Sequence, residues 1–447
     1  MVPLVGVPET IRCGLTPYRD VFCRAEGFEH ISRYVTGLIL SPNKTLQGIY
    51  DMQVWEPGQP HSRRAMHEAV FEAGWDAETL MPRHRAVIAN AHRRCGREVI
   101  SLDWTYAHHE RGPKIWGVKK AWDHVEHRLA PYQTVVTAVI ANRARLDGIE
   151  VLVQQPNRQE EELAYLHETV RANYPQMEEA RGRVLELLHH RVHCLDYKKR
   201  TELASDIVEQ LEQEGHFPHA HYAFDHGVLS LELSRGIERA GKHWVSELEC
   251  TRHLHWQGQG RRIDTVAQAL RQVHPASFRA VRVRCRNGET KSFWVFTKVV
   301  RLKRYGRKRL VIVHEQADLG DAPRFLLTDA LHWDSGRVIE TWSYRWAAEI
   351  FHEFGKQVTG LEAAQVRKEE AVKRHFRLSC VAQSLLQQAP ASGSATERFA
   401  FAQGHITIGQ RVRTIAREAL QSLLKLVEQL LAQGHSCEHI LEVCMPA

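Results

Sequence analysis

"EVISLDWTYAH" (residues 98–108) is the stretch from which the rest of the chain is read. Its apolar, β-branched start predicts a short strand, and that strand runs into Asp103. Two further strands are read at "YQTVVTAVIANR" (132–143) and "IEVLVQQP" (149–156), with Asp147–Gly148 turning between them. A long helical stretch follows, from "EEELAYLHETVRANY" (160–174) through "ARGRVLELLHHRVHCL" (180–195). "HYAFDHG" (221–227) is another strand, ending at Asp225; "LSLELSRGIERAG" (229–241) is a helix and "KHWVSELEC" (242–250) a strand. The order β-β-β-α-β-α-β predicts an α/β fold, with an antiparallel meander leading into a mixed sheet that carries helices on its faces. If the fourth strand pairs parallel beside the first, the carboxyl ends of both open at one edge. Asp103 and Asp225 then sit side by side, where open α/β sheets keep their sites.

A third acid comes from "ETWSYRWAAEIFHEFGKQ" (340–357). Wound as one helix at about 100° per residue, it collects Arg345, Glu349, His352 and Lys356 in one stripe and sets Trp346, Ala347, Ile350, Phe351 and Phe354 on the other side. Taken alone, such a stripe is a solvated face whose i,i+4 ion pairs contribute a few tenths of a kcal/mol each. Beside two strand-end aspartates, Glu349 becomes the candidate third carboxylate. Asp123, Asp206 and Asp264 do not end apolar strands and are set aside.

The charge is unevenly spread. The chain carries a net +7, yet residues 252–310 hold sixteen Lys and Arg against Asp264 and Glu289 alone, which leaves the remainder at −7. A concentrated cationic block on an otherwise acidic protein points to a polyanion. Most of the cations are Arg, whose planar fork grips phosphate at two points. The block itself, "SFRAVRVRCRNGETKSFWVFTKVVRLKRYGRKRLVIVHE" (277–315), alternates like strands turning at Asn287–Gly288 and Tyr305–Gly306, and "PRFLLTDAL" (323–331) adds one more. Phe293, Trp294, Phe296 and Tyr305 interleave with the cations as in a nucleic-acid groove.

At 447 residues the chain is too long for one ordinary domain. Residues 1–95 read as short helices, a candidate DNA-binding domain; 96–384 as the catalytic α/β domain with a β-rich basic insertion at about 253–335; 385–447 as a helical tail. No apolar run reaches the length of a membrane span, and "MVPLVGVPETIRCGL" lacks the pattern of a signal peptide. Nine scattered cysteines without a C-x-x-C pair fit reduced thiols. These features predict a cytoplasmic protein with no membrane partner.

Strand-Asp, strand-Asp, β-insertion, helix-Glu is an order similar to that of the DDE transposases of bacterial insertion sequences. Over residues 97–380 the chain most resembles the group marked by a Tyr-x2-Arg-x3-Glu-x6-Lys signature. Arg345, Glu349 and Lys356 match that spacing, "SLDWTY" and "YAFDHG" resemble its two Asp strands, and "FLLTDALHWDSGRVIETWSYRW" resembles its lead-in to the catalytic helix. The chain departs at the signature Tyr, where it has Trp342; Tyr344 lies beside the Arg instead.

The resemblance implies an RNase H-like core in which Asp103, Asp225 and Glu349 hold two Mg²⁺ ions, with Mn²⁺ as a substitute, for phosphoryl transfer. It implies cleavage at terminal inverted repeats, joining of the ends to target DNA, and a homodimer in the DNA complex. Arg345, Lys356 and Trp342 are then expected to contact DNA near the cut, with Trp342 stacking on a base or sugar, and Lys298, Arg301, Lys303, Arg304, Arg307 and Lys308 to contact it along the basic insertion. Two other readings stay open: an RNase H-like nuclease or resolvase, and a captured transposase that only binds DNA as a regulator.

Overall fold

In a computed structural model of the chain, residues 3–22, 24–55, 62–92, 96–110, 112, 114–123, 126–155, 168, 171–172, 182, 184, 197–391 and 406–445 are described. The long helical stretch read at 160–195 falls almost wholly outside them.

The chain begins with a two-residue pairing of β1 (Leu4–Val5) with β2 (Gln53–Val54) and the helices α1 (Glu9–Leu15), α2 (Ala25–Leu40), α3 (Leu46–Asp51), α4 (Arg63–His67) and α5 (Ala77–His92). Side-chain oxygens of Thr45 and Ser62 accept the free N–H groups at the starts of α3 and α4.

The strands that follow are β3 (Val99–His108), β4 (Lys119–Asp123), β5 (Arg128–Ala141) and β6 (Leu146–Val153). After α6 (Arg200–Glu214) come β7 (His221–Phe224), α7 (Leu231–Arg239) and β8 (Trp244–Glu247). β3 pairs antiparallel with β5 and parallel with β7, and β7 pairs parallel with β8. The meander and the parallel neighbour expected from the sequence are both present.

The basic region supplies β9 (His253–Trp256), β10 (Gln259–Arg262), α8 (Ile263–Val273), β11 (Arg279–Arg284), β12 (Thr290–Leu302), β13 (Gly306–His314) and β14 (Arg324–Thr328). Its strands do not form a sheet of their own. β14 pairs with β8, so the insertion continues the central sheet into one mixed sheet of twelve strands. The helix α8 went unread in the sequence, where strand texture on both sides masked its Ile263, Val266, Ala267 and Leu270 face.

α9 (Ser335–Ser343), α10 (Trp346–Gln357), α11 (Glu369–Gln388), α12 (Ile408–Ala432) and α13 (Cys437–Cys444) complete the chain. Among the described residues, no helix is long and apolar enough to cross a membrane.

Alternation along β3 separates two cores. Ile100 and Leu102 pack with α6, α7 and α8 through Ile207, Leu211, Leu233, Ile237 and Leu270. Val99 and Ala107 face the other way, with Ala347 and Phe351 of α10 and Val372, Phe376 and Cys380 of α11. A Cβ on Gly148 of β6 would lie 2.5 Å from the Phe351 ring and 2.7 Å from Cys380 Sγ, so only glycine lets the helices approach this closely. The N-terminal helices share a third core with α11 and α12, including Ile11, Leu38, Leu378, Leu385 and Ile415.

Candidate active site

The register puts Leu102 beside Phe224 and Phe224 beside Ser246. One residue on, Asp103 and Asp225 are therefore neighbours where β7 ends; β3 does not stop at Asp103 as the sequence suggested but runs on to His108 against β5. Asp103 Oδ1 accepts the N–H of Trp104 at 2.8 Å. Asp225 Oδ1 accepts from Gly227 N at 2.9 Å and Val228 N at 3.2 Å, so one oxygen caps the turn that ends β7.

Three side-chain bonds lay α10 along β3 and β5. Ser101 Oγ donates to the Arg345 carbonyl at 3.0 Å, Thr137 Oγ1 and His352 Nε2 bond at 2.8 Å, and Lys356 Nζ donates to the Tyr106 carbonyl at 2.6 Å. Thr137 lies directly across from Asp103. Glu349, one turn before His352, is thereby carried to the aspartates.

The stripe consequently turns toward the sheet, with Glu349 and Lys356 left partly exposed. His352 is buried, and burial pulls its imidazole down to about 3, which keeps it neutral. Nor is 340–357 one helix. Tyr344 and Arg345 make i−3 bonds to Thr341 and Trp342, and this tightened turn separates α9 from α10. Tyr344 points into the core and is 1% exposed. Trp342 is half-buried on the core under α9, with Arg324 and Arg345 over its ring at 5.1 and 5.5 Å.

Electrostatics tie the acids together. Asp103 is pushed up to about 7, first by burial and then by the neighbouring charge of Asp225, with Glu349 adding to it. Arg345 opposes this: its Nη2 lies 2.6 Å from Glu349 Oε1 and its Nη1 4.0 Å from Asp103 Oδ2. Arg345 Nε and Trp342 Nε1 are buried without a hydrogen-bond partner among the described residues. Lys356 also pairs with Glu362 at 2.8 Å.

Hard carboxylate oxygens that repel one another suit a hard divalent cation, so the donor set fits Mg²⁺. Among the described residues, His108, Asp123 and Glu126 form the one group of such side chains with a ligand atom each within 4.8 Å of the others. The Asp103–Asp225–Glu349 set is more open, with Arg345 between two of its members. Asp123, set aside in the sequence, ends β4 and is fully buried.

The basic residues named from the sequence lie apart from this cluster. Following the register outward, the row that holds Asp103 and Asp225 continues through Glu247, Leu326 and Val311 to Thr297. Arg301 is four residues along β12 from Thr297, toward the opposite end of the sheet, and Arg307 is paired across from it. Lys303 and Arg304 are exposed on the turn beyond. Lys298 projects onto the other face, over the Trp256 ring at 4.4 Å. Lys308 is buried and bound to Glu238 at 3.0 Å, which commits its ammonium within the protein.

Sequence reading passed over the cations on the acid side. The β11–β12 hairpin rises past the acid edge with Arg282 and Arg284 exposed, and its Arg286 N–H donates to Ser343 Oγ at the end of α9. The signal available was the Asn287–Gly288 turn, which sets the register of this hairpin.

No protein-family model matches the chain, and no curated protein matches it.

Proposed function

We propose that this protein is a DDE-type transposase with an RNase H-like core, which cleaves DNA at the terminal inverted repeats of an insertion sequence and joins the ends to target DNA. The observation that carries this reading is the meeting of Asp103, Asp225 and Glu349 from two adjacent parallel strands and a helix laid across them. The antiparallel meander with parallel β7 and β8 beside β3 supports the RNase H-like assignment.

Asp103, Asp225 and Glu349 are the residues that would hold two Mg²⁺ ions. Bound there, the ions would activate water or a DNA 3′-hydroxyl and stabilise the leaving oxygen. The chain's own part is to hold the carboxylates in place. Burial and mutual repulsion keep Asp103 poised to exchange its proton for a cation. Arg345 holds Glu349 and balances the acids. The three tethers, Lys356 among them, fix α10 against β3 and β5. The exposed arginines of the β11–β12 hairpin offer a path for the duplex. Leu420, Leu424 and Leu431 are exposed on α12 at heptad-like spacing, which supports a homodimer in the DNA complex.

Incubating the protein with Mg²⁺ and labelled element ends tests the reading. Nicks at the end and strand-transfer products are expected. Asp103→Ala, Asp225→Ala and Glu349→Ala should each abolish both while leaving end-binding nearly intact. Normal cleavage by Asp225→Ala would overturn the site.

A further inference from the structure

Trp104 follows Asp103 and lies on the opposite face of β3. Its indole packs at the turn after β7, where a Cβ on Gly227 would come within 3.1 Å of the Trp104 ring and 3.3 Å of Asp225 Oδ1. The Arg200 guanidinium sits over the same ring at 4.2 Å, and its Nη1 reaches the Tyr106 hydroxyl at 3.4 Å. Tyr106 packs on Tyr132 with ring centroids 4.3 Å apart, and Lys119 Nζ lies 5.6 Å from the Tyr132 ring. Rings and cations thus interleave outward from the acids: Trp104, Arg200, the Tyr106–Tyr132 pair, Lys119.

Two features say what this ladder is for. Trp104, Tyr106, Arg200 and Lys119 are all partly exposed, although the same face of β3 is fully buried at Ile100 and Leu102. Arg200 and Lys119 also have no carboxylate partner among the described residues; Lys119 donates to the Gln154 amide oxygen at 3.4 Å. The two cations are close enough that Arg200, after burial, holds the Lys119 ammonium below its usual range. Repelling cations stacked on aromatic rings, with no acid between them among the described residues, match a chain of phosphates carrying unpaired bases.

We propose that the ladder from Trp104 to Lys119 binds a single-stranded segment of DNA, with bases against Trp104, Arg200 and Tyr106 and a phosphate between Arg200 and Lys119. The inference rests on the transposase reading and deepens it: DNA opened at the acids has a stacking surface beside them, on the reverse face of the sheet.

The test uses the full chain and a labelled single-stranded oligonucleotide of about 12 nucleotides carrying 5-iododeoxyuridine, with the matching duplex as control. Irradiation of the wild-type complex should crosslink the peptide holding Trp104 and Tyr106. Arg200→Ala and Tyr106→Ala should each weaken single-strand binding about tenfold and leave duplex binding within about twofold, whereas Tyr106→Phe keeps the wild-type affinity. Arg200→Ala should also lower the salt slope by about 0.7. Crosslinks confined to the β11–β12 hairpin, or unchanged affinity in both Ala variants, would overturn the ladder while leaving the cleavage reading intact. Failure to bind DNA in either form would overturn both.

Discussion

Thr137 and His352 meet hydroxyl to imidazole at 2.8 Å, and this one bond joins the strand opposite Asp103 to the helix that carries Glu349. Thr137→Val keeps the shape but leaves a buried ring nitrogen unsatisfied, at a cost of about 1–3 kcal/mol. Urea denaturation should show that loss, and cleavage should fall further than end-binding because Glu349 is no longer held in register. Equal losses in both would mean the bond serves stability alone.

The buried histidines predict acid sensitivity. His352 is pulled down to about 3, and His84 and His375 to about 4, in each case chiefly by burial. Unfolding restores the ordinary value near 6.5, so the unfolded chain binds more protons between these limits. Stability from these groups is full above about pH 6.5 and declines as pH falls toward 3. Equilibrium denaturation at pH 7.5 and pH 5 should give a lower midpoint at pH 5. In His352→Gln the gap should narrow.

Asp103 runs the other way. Its folded value of about 7 lies above the unfolded one near 3.9, so the folded protein binds the extra proton between pH 4 and 7. Asp103 therefore costs stability increasingly as pH rises through that window, and the full cost is present above pH 7. Asp103→Asn should stabilise the fold at pH 8 by about 1–3 kcal/mol, little at pH 4, and abolish cleavage. A thermal melt at the two pH values checks it. Destabilisation at pH 8 would show that Asp103 is held by partners and not merely tolerated.

Trp342 separates packing from contact with DNA. Half-buried and flanked by Arg324 and Arg345, it keeps much of its packing in Trp342→Phe, whereas Trp342→Ala opens a gap beside Arg345. The Ala variant is expected to lose about 2–4 kcal/mol of stability. Its cleavage rate, measured well below the melting point, should fall more than that of the Phe variant. If both variants cut equally, the ring plays no part at the cut.

The two basic regions predict a dependence on DNA length. Arg301 lies five strands across and four residues along from Asp103, roughly 25 Å away, while the β11–β12 hairpin touches the end of α9. Arg282→Ala with Arg284→Ala should lower the salt slope for short end duplexes by about two. Neutralising Arg301, Lys303 and Arg304 should leave short duplexes unaffected and lower the slope only for longer ones. Titrations against salt with both lengths decide between one DNA path and two.

What the sequence determined by itself was local and periodic. Apolar runs leading to Asp103 and Asp225 specified two strands and, for β7, the residue at which it stops; β3 runs on past Asp103 to His108 because β5 continues to pair with it. Chain order then allowed the parallel pairing that makes the two acids neighbours. The spacing of Arg345, Glu349 and Lys356 put all three on one helix face.

What that face looks at is a matter of packing, and only the tertiary structure decided it. Gly148 lets Phe351 and Cys380 close on β6, which buries His352 against the sheet and brings the partly exposed Glu349 to the aspartates. The break at Tyr344–Arg345 likewise follows from burying Tyr344, which helical periodicity does not reveal. The basic block was legible as charge, but charge carries no register. Pairing of β12 with β13 and β11 sent Arg301 and Arg307 to one end of the sheet and Arg282 and Arg284 to the other, and a salt bridge to Glu238 took Lys308 out of solvent. Trp104 and Tyr106 share a face of β3 by strand alternation, but Arg200, Tyr132 and Lys119 are distant from them in the chain and no spacing rule links them. They meet only because the sheet and the start of α6 bring them together.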